Sequence, residues 1–325
     1  MATFHRFLLL PVVATILVSI VIPLQVTCYA ADLAATKTVR VAAVQFVSEF
    51  GKAAENSKGL ESLAREAAQN GAKIIVLPEA AIPGYMSHDM RQTWQVDDRS
   101  LSESLQGTPA ESVAESVPGP STDAFGSLAK ELGVYLTVPV LEIDVKQKKY
   151  FNTLVLMGPD GKIALHYRKL HPYLWAEQGW ASPGDHGHQI VDTPYGRVSV
   201  LVCFDIHSEP PTLKVNHVDH LLFPIAWVDY ADSKWFSESL PNLAKQVDVN
   251  IIGANWSVSK RPEWNGYGQS VVIGRDGRIL AKAKSDLGNQ IVYAELPIPV
   301  STVAQDWGFA SRQPWRRPRR ANRLT

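Results

Sequence analysis

From Lys37 to about Pro297, short aliphatic runs alternate with amphipathic stretches, the pattern expected of an α/β domain. Val39 to Phe46 predicts a first strand and Ala53 to Gln69 an amphipathic helix. Lys73 to Leu77 predicts a short buried strand that runs into Pro78-Glu79. Residues 86 to 120 lack apolar periodicity and hold many Ser, Glu and Asp. A long loop or lid is expected there, and an excursion of that length inside a domain is often functional. Thr122 to Leu132 then reads as a helix and Val134 to Leu141 as a strand.

Two later segments resemble each other. Leu154 to Lys169 and Val271 to Lys284 each hold a strand, an Asp-Gly turn (Gly158-Pro159-Asp160-Gly161-Lys162 and Gly274-Arg275-Asp276-Gly277-Arg278) and a second strand. Both predict antiparallel hairpins, since glycine and aspartate tolerate the positive φ of such turns. One hairpin per half suggests two sheets built alike. Between them lie expected strands at Val198 to Val202, Asp219 to Pro224 and Asn250 to Ala254, and expected helices at Pro210 to Asn216 and Ser233 to Val247. No linker divides residues 38–298 into separate domains.

The ends of the chain read differently. Phe7 to Val26 is almost wholly apolar behind Arg6, and Cys28-Tyr29-Ala30 offers small residues for cleavage before Ala31. Residues 1–30 are thus expected to be a signal peptide of a secreted or periplasmic protein, with an uncleaved membrane anchor as the alternative. Lysine plus arginine and aspartate plus glutamate number 32 each, so no overall field attracts nucleic acid. Residues 299–325 form a basic tail in which Arg312, Arg316, Arg317, Arg319, Arg320 and Arg323 crowd together. That tail is read as a solvated terminus, with weak contact to an anionic surface as the sharper alternative.

Removing residues 1–30 would leave Cys203 as the only cysteine, at the end of the run Val198 to Val202. A single thiol forms no intrachain disulfide and no cysteine-rich metal site, which leaves an inert packing residue or a nucleophile. Two other polar residues also end strands that otherwise read as core, Glu79 after Ile74 to Pro78 and Lys169 after Ile163 to Arg168. The carboxyl ends of strands in α/β domains are where sites gather. A carboxylate can take the proton of a thiol and return it to a leaving amine, and an ammonium can stabilise an oxyanion. His186-Gly187-His188 lacks zinc-ligand spacing and is read as loop.

Together these residues resemble the Glu-Lys-Cys triad of the nitrilase superfamily, the carbon–nitrogen hydrolases. Leu77-Pro78-Glu79 with Gly84-Tyr85 resembles the glutamate motif, and Tyr150-Phe151-Asn152-Thr153 the segment before the hairpin. Tyr167-Arg168-Lys169-Leu170-His171 resembles the lysine motif, and Cys203-Phe204-Asp205-Ile206 with Glu209-Pro210 the cysteine motif. The resemblance implies a four-layer αββα sandwich, usually paired as a homodimer or higher homo-oligomer, with no metal and no cofactor. It implies Cys203 as nucleophile, Glu79 as general base and Lys169 with the Phe204 amide at the oxyanion. Glu177, eight residues after the lysine, is implied to orient substrate and lysine. Tyr85, Tyr173, Trp227 and Asn255 are candidate pocket residues.

Cys203-Phe204-Asp205 resembles amidase branches more than the Cys-Trp-Glu of nitrilases, so a small linear amide is the expected substrate. A nitrile, acyl transfer from a thioester, or a silent scaffold are the alternatives. Cys203 to Ile206, His217-Val218-Asp219 and Phe223 to Trp227 are similar to the secreted vanin and biotinidase branch. The extra C-terminal domain and the disulfides of that branch are not expected here. Asn255-Trp256-Ser257 fits the N-glycosylation pattern and is read as a chance match.

Overall fold

The computed structural model describes residues 37–97, 99–228 and 234–299. The expected signal peptide and nearly all of the basic tail lie outside these residues. The first half of the described chain supplies β1 (Thr38–Gln45), α1 (Ala53–Gln69), β2 (Ile74–Val76), β3 (Gln92–Gln95), β4 (Gln106–Pro109), α2 (Pro120–Leu132), β5 (Tyr135–Asp144), β6 (Lys149–Met157) and β7 (Ile163–Arg168). The second supplies α3 (Leu174–Glu177), β8 (Ile190–Thr193), β9 (Gly196–Val200), α4 (Pro210–Val215), β10 (His220–Ile225), α5 (Leu240–Val247), β11 (Asn250–Asn255), β12 (Val271–Ile273), β13 (Ile279–Lys282) and β14 (Gln290–Pro297).

Two six-stranded sheets result, ordered β14-β1-β2-β5-β6-β7 and β13-β12-β11-β10-β9-β8. β1, β2 and β5 run parallel, as do β9, β10 and β11, while both expected hairpins (β6–β7 and β12–β13) are antiparallel. The alternation of side chains along each strand explains the layering. Val41, Ala43, Ile74, Val76, Leu165 and Tyr167 meet Val198, Val200 and Phe223 of the other sheet in one core. The alternate residues Ala42, Val44, Ile75 and Val138 pack instead on Leu60, Ala64, Phe125 and Leu128 of α1 and α2. Leu213 of α4 and Leu240, Ala244 and Val247 of α5 join the core of the second sheet. The expected four-layer αββα sandwich is therefore the observed fold.

Local signals explain the element ends. Pro120 opens α2, where the Gly119 amide donates to the Thr122 hydroxyl at 2.8 Å, and Gly133 ends the helix at φ 64°. The segment expected as an open loop over 86–120 is firmer than its composition suggests. It forms the parallel pair β3–β4, and its Trp94 is fully buried, donating to the Gly84 carbonyl at 2.8 Å. Thr93 donates to the Ala176 carbonyl and Arg99 to that of Trp180, so the segment is fastened to the residues around α3. Its Ser, Glu and Asp residues mask a few anchoring side chains that periodicity does not register. The helix expected from Ser233 begins as a π-type turn at Trp235–Ser239 and becomes α-helical only from Leu240.

Candidate active site

Three strand ends converge on one buried cluster. β2 runs through Leu77-Pro78 to Glu79, β7 ends beside Lys169, and β9 leads through Leu201-Val202 to Cys203. The backbone is held in the left-handed region at Ala80 (φ 46°) and at Cys203 (φ 43°), a conformation that costs non-glycine residues energy and is retained where the surroundings over-determine it. Both turns swing a functional side chain out of a strand and into the cluster.

Lys169 is the hub. Its Nζ donates to Glu79 Oε1 at 2.7 Å and to Glu177 Oε2 at 2.6 Å, and all three side chains are wholly buried. The Asn152 side-chain amide donates to the same two carboxylates, at 2.7 Å to Glu79 Oε1 and 2.6 Å to Glu177 Oε1. The Tyr173 amide adds a third donor to Glu177 at 2.5 Å. Both Glu177 oxygens thereby have donors, whereas Glu79 keeps Oε2 buried and without a hydrogen-bond partner. One carboxylate is fixed and the other has a free oxygen.

The electrostatics follow from burial. Desolvation raises the Glu79 pKa above the ordinary glutamate value, and Glu177 adds to this, while Lys169 and the Cys203 thiol pull it back. Burial also pushes the Cys203 thiol well up, with Glu79 in the same sense and with Lys169 and the Ala226 backbone N–H opposing. Burial works against the Lys169 charge, but Glu177 and Glu79 outweigh it and hold its pKa above the usual lysine range. The resting cluster thus pairs a firm ammonium with a protonated thiol beside a carboxyl whose basicity is raised.

Asp205 fixes this arrangement from behind. Its Oδ2 accepts from the Tyr167 hydroxyl at 2.7 Å and from the Val202 amide at 3.2 Å, and its Oδ1 from the His171 amide at 2.8 Å. The turn carrying Cys203 is therefore bolted to the strand end carrying Lys169. Farther out, Glu209 accepts from both His171 and His188, which accounts for His188 as a loop residue; His186 contacts the His166 carbonyl.

All the expected site residues except Asn255 stand at the cluster or its rim. Tyr85 lies below Lys169, with its ring centre 6.0 Å from Nζ. Gly84, at φ 83°, makes the turn that sets it there, and a side chain on Gly84 would strike the Phe50 backbone. Phe204 follows the thiol and meets the Tyr173 ring at a tilt, with ring centres 5.4 Å apart, and Trp227 follows Ala226. Asn255 stands behind that wall rather than in it. It is fully buried, accepts from the Trp227 amide at 3.1 Å and donates to the Gly266 and Gly268 carbonyls. That burial also removes it as a glycan acceptor. Residue-by-residue reading missed Asn152, whose signal was an amide inside an otherwise apolar strand, and Asp205, whose signal was an acid just past the cysteine. Ala226 acts through its backbone and leaves no sequence signal.

The chain was also compared with known proteins. The family description "Carbon-nitrogen hydrolase" matches residues 40–305. The omega-amidase NIT2-B of Xenopus laevis is 28% identical over 302 residues, covering 88% of this chain and 96% of its own. A nitrilase of Pyrococcus abyssi is 25% identical over 264 residues, covering 80% and 90%. Among solved structures, an amidase from Nesterenkonia sp. superposes with a TM-score of 0.65 at 19% identity, over 81% of this chain and 91% of its own.

Proposed function

This chain belongs to the carbon–nitrogen hydrolase family and is an amidase acting on bonds other than peptide bonds; on that premise we propose that it hydrolyses a small linear amide through a thioester on Cys203. The observation that carries the proposal is the asymmetric use of the two carboxylates, Glu177 with donors on both oxygens and Glu79 with one oxygen free.

In the proposed sequence Glu79 takes the thiol proton as sulfur attacks the carbonyl carbon, so no free thiolate has to be held in the buried site. Burial raises the basicity of Glu79, which favours its accepting the proton, while burial of the thiol opposes the transfer. The carbonyl oxygen becomes an oxyanion, stabilised by Lys169 and the Phe204 backbone amide. The C–N bond then breaks, Glu79 returns its proton to the nitrogen, and ammonia or an amine leaves. Glu79 next deprotonates water, which attacks the thioester; the C–S bond breaks, the thiolate recovers the proton and the acid departs. Glu177 holds Lys169 in place and orients the substrate.

Cys203-Phe204-Asp205 supports an amide over a nitrile. The vanin and biotinidase likeness of residues 203–227 and the omega-amidase relatives suggest different acyl groups, and both fit a linear amide. Export through residues 1–30 remains part of the proposal, tested by N-terminal sequencing of protein from the culture medium or periplasm. Recovery beginning at Met1 in the cytosol would remove it. Self-association is proposed as well, in keeping with the exposed Leu174 and Val215 at 71% and 76%; monomers in analytical ultracentrifugation would count against it. Ammonia release from a panel of amides and nitriles tests the reaction. Release from nitriles alone would favour the nitrilase alternative, which the Pyrococcus relative keeps open.

A further inference from the structure

We infer that β3 is the strut that sets the two carboxylates of the site relative to each other, with Thr93 a positioning residue for Glu177; its effect on rate rests on the amidase reading. Glu177 lies on α3, a helix of four residues, and a single turn does not hold its own shape in water. Glu79 is followed by a tight turn, closed by the Gly84 amide on the Ala80 carbonyl at 2.9 Å. Neither segment belongs to a six-stranded sheet. Lys169 binds both acids at once, so its place depends on the spacing between these two short segments.

β3 reaches both. Successive side chains of a strand point to opposite sides, and Thr93 and Trp94 use that alternation. The Thr93 hydroxyl donates at 2.7 Å to the carbonyl of Ala176, the residue before Glu177. The Trp94 indole N–H donates to the Gly84 carbonyl at 2.8 Å, and its ring centre lies 4.3 Å from that of Phe50, beside the same turn. Both side chains are fully buried. The grip on α3 is repeated farther along, where the Val96 amide donates to the Gly179 carbonyl at 3.0 Å and Arg99 to the Trp180 carbonyl at 2.8 Å. A side chain on Gly179 would strike Leu101, so the two segments are in close contact there. β4 pairs with β3 over its whole length, from Gln92 opposite Gln106 to Gln95 opposite Pro109, and stiffens it. The step from Thr93 to Trp94 is thus a fixed length between the backbone next to Glu177 and the turn after Glu79. A misplacement of about 1 Å, arising far from the reacting atoms, can cost about 10²-fold in rate, so even partial loosening of α3 is expected to show in kcat.

Thr93→Val keeps the shape of the side chain and removes its hydroxyl. The test is a double-mutant cycle with Glu177→Gln, read as ammonia release from the amide that the wild-type protein turns over fastest. Thr93→Val is expected to lower kcat about 10-fold in the wild-type background and less than about 2-fold in Glu177→Gln, with Thr93→Ser within about 3-fold of wild type. A hydroxyl that served only the fold would lower the rate by the same factor in both backgrounds. That result would overturn the inference, as would full activity of Thr93→Val or a Thr93→Ser rate no better than it. If Thr93→Val does not fold, Arg99→Met takes its place in the cycle, with a fall of about 3-fold expected that is absent in Glu177→Gln; equal falls in the two backgrounds again count against the strut. The pH dependence of Cys203 alkylation by iodoacetamide needs no turnover. Glu177 raises the thiol pKa, so Thr93→Val and Glu177→Gln should both move the alkylation midpoint to lower pH, and the double variant should match Glu177→Gln. A midpoint moved by Glu177→Gln and left in place by Thr93→Val overturns the inference. The expected alkylation pattern with no ammonia from any amide fails the amidase reading alone.

Discussion

The Tyr167 hydroxyl donates to Asp205 at 2.7 Å and so ties the strand end that presents Lys169 to the turn that presents Cys203. Neither residue need touch the substrate, yet their bond sets the spacing between thiol and ammonium. Tyr167→Phe removes one buried donor and leaves an Asp205 oxygen short of a partner. The expected cost is about 1–3 kcal/mol in unfolding free energy, together with a lower kcat. Urea unfolding and steady-state kinetics check this, and an unchanged kcat would detach Asp205 from the site.

Asn152 bridges the two carboxylates, so Asn152→Ala leaves both without one donor in a dry site. A loss of about 1–3 kcal/mol of stability and a fall in rate are expected. If the variant unfolds at the wild-type urea midpoint with full activity, the bridge is incidental.

Glu177→Gln keeps the shape of the side chain but removes the charge that pins Lys169. The expected result is a fall in kcat on the order of 10²-fold with a melting temperature within a few degrees of wild type. An unaltered rate would reduce Glu177 to a packing residue.

Raised basicity of Glu79 has a sign that a pH profile can read. In the proposed mechanism Glu79 must be ionised, and its protonation sets in as pH falls through a value above the ordinary glutamate pKa of about 4.3. The acid limb of kcat/KM is therefore expected above that value. A limb at or below it would point to a solvated, unshifted base.

Glu142 carries the opposite sign. Burial raises its pKa, but hydrogen bonds from His166 and Arg168 overcome this and bring it down to about 2. A depressed carboxyl stabilises the fold above its unfolded pKa and loses that contribution as pH falls toward the folded value. Wild-type stability should drop from about pH 4.3 toward pH 2, and Glu142→Gln should show a flatter dependence on a lower plateau, since it strands the buried Arg168. Parallel acid curves for the two proteins would contradict this.

Much of this was legible in the sequence because strand ends carry their own signal. Glu79, Lys169 and Cys203 each interrupt an apolar run, and α1 spans the predicted Ala53–Gln69. The gaps have physical causes. β8 is a short edge strand with partly exposed residues, so its apolar pattern is weak. α3 is a single turn, too short for periodicity to show, although it carries Glu177. The 86–120 segment is held by Thr93, Trp94 and Arg99 through contacts with distant backbone, which no local pattern reports. The contact of the Ala226 amide with the thiol depends on two strand ends meeting, and alanine itself carries no mark of it.

The central claim is the thioester on Cys203, and intact-protein mass spectrometry during turnover tests it most directly. Wild-type protein, quenched in acid after mixing with 3-phenylpropanamide, hexanamide or a pooled amide panel, should gain the mass of the acyl group. Peptide mapping should place that mass on the peptide containing Cys203, and Cys203→Ala should show neither the adduct nor turnover. Full turnover by Cys203→Ala, or an acyl adduct mapped to another residue, would contradict the account.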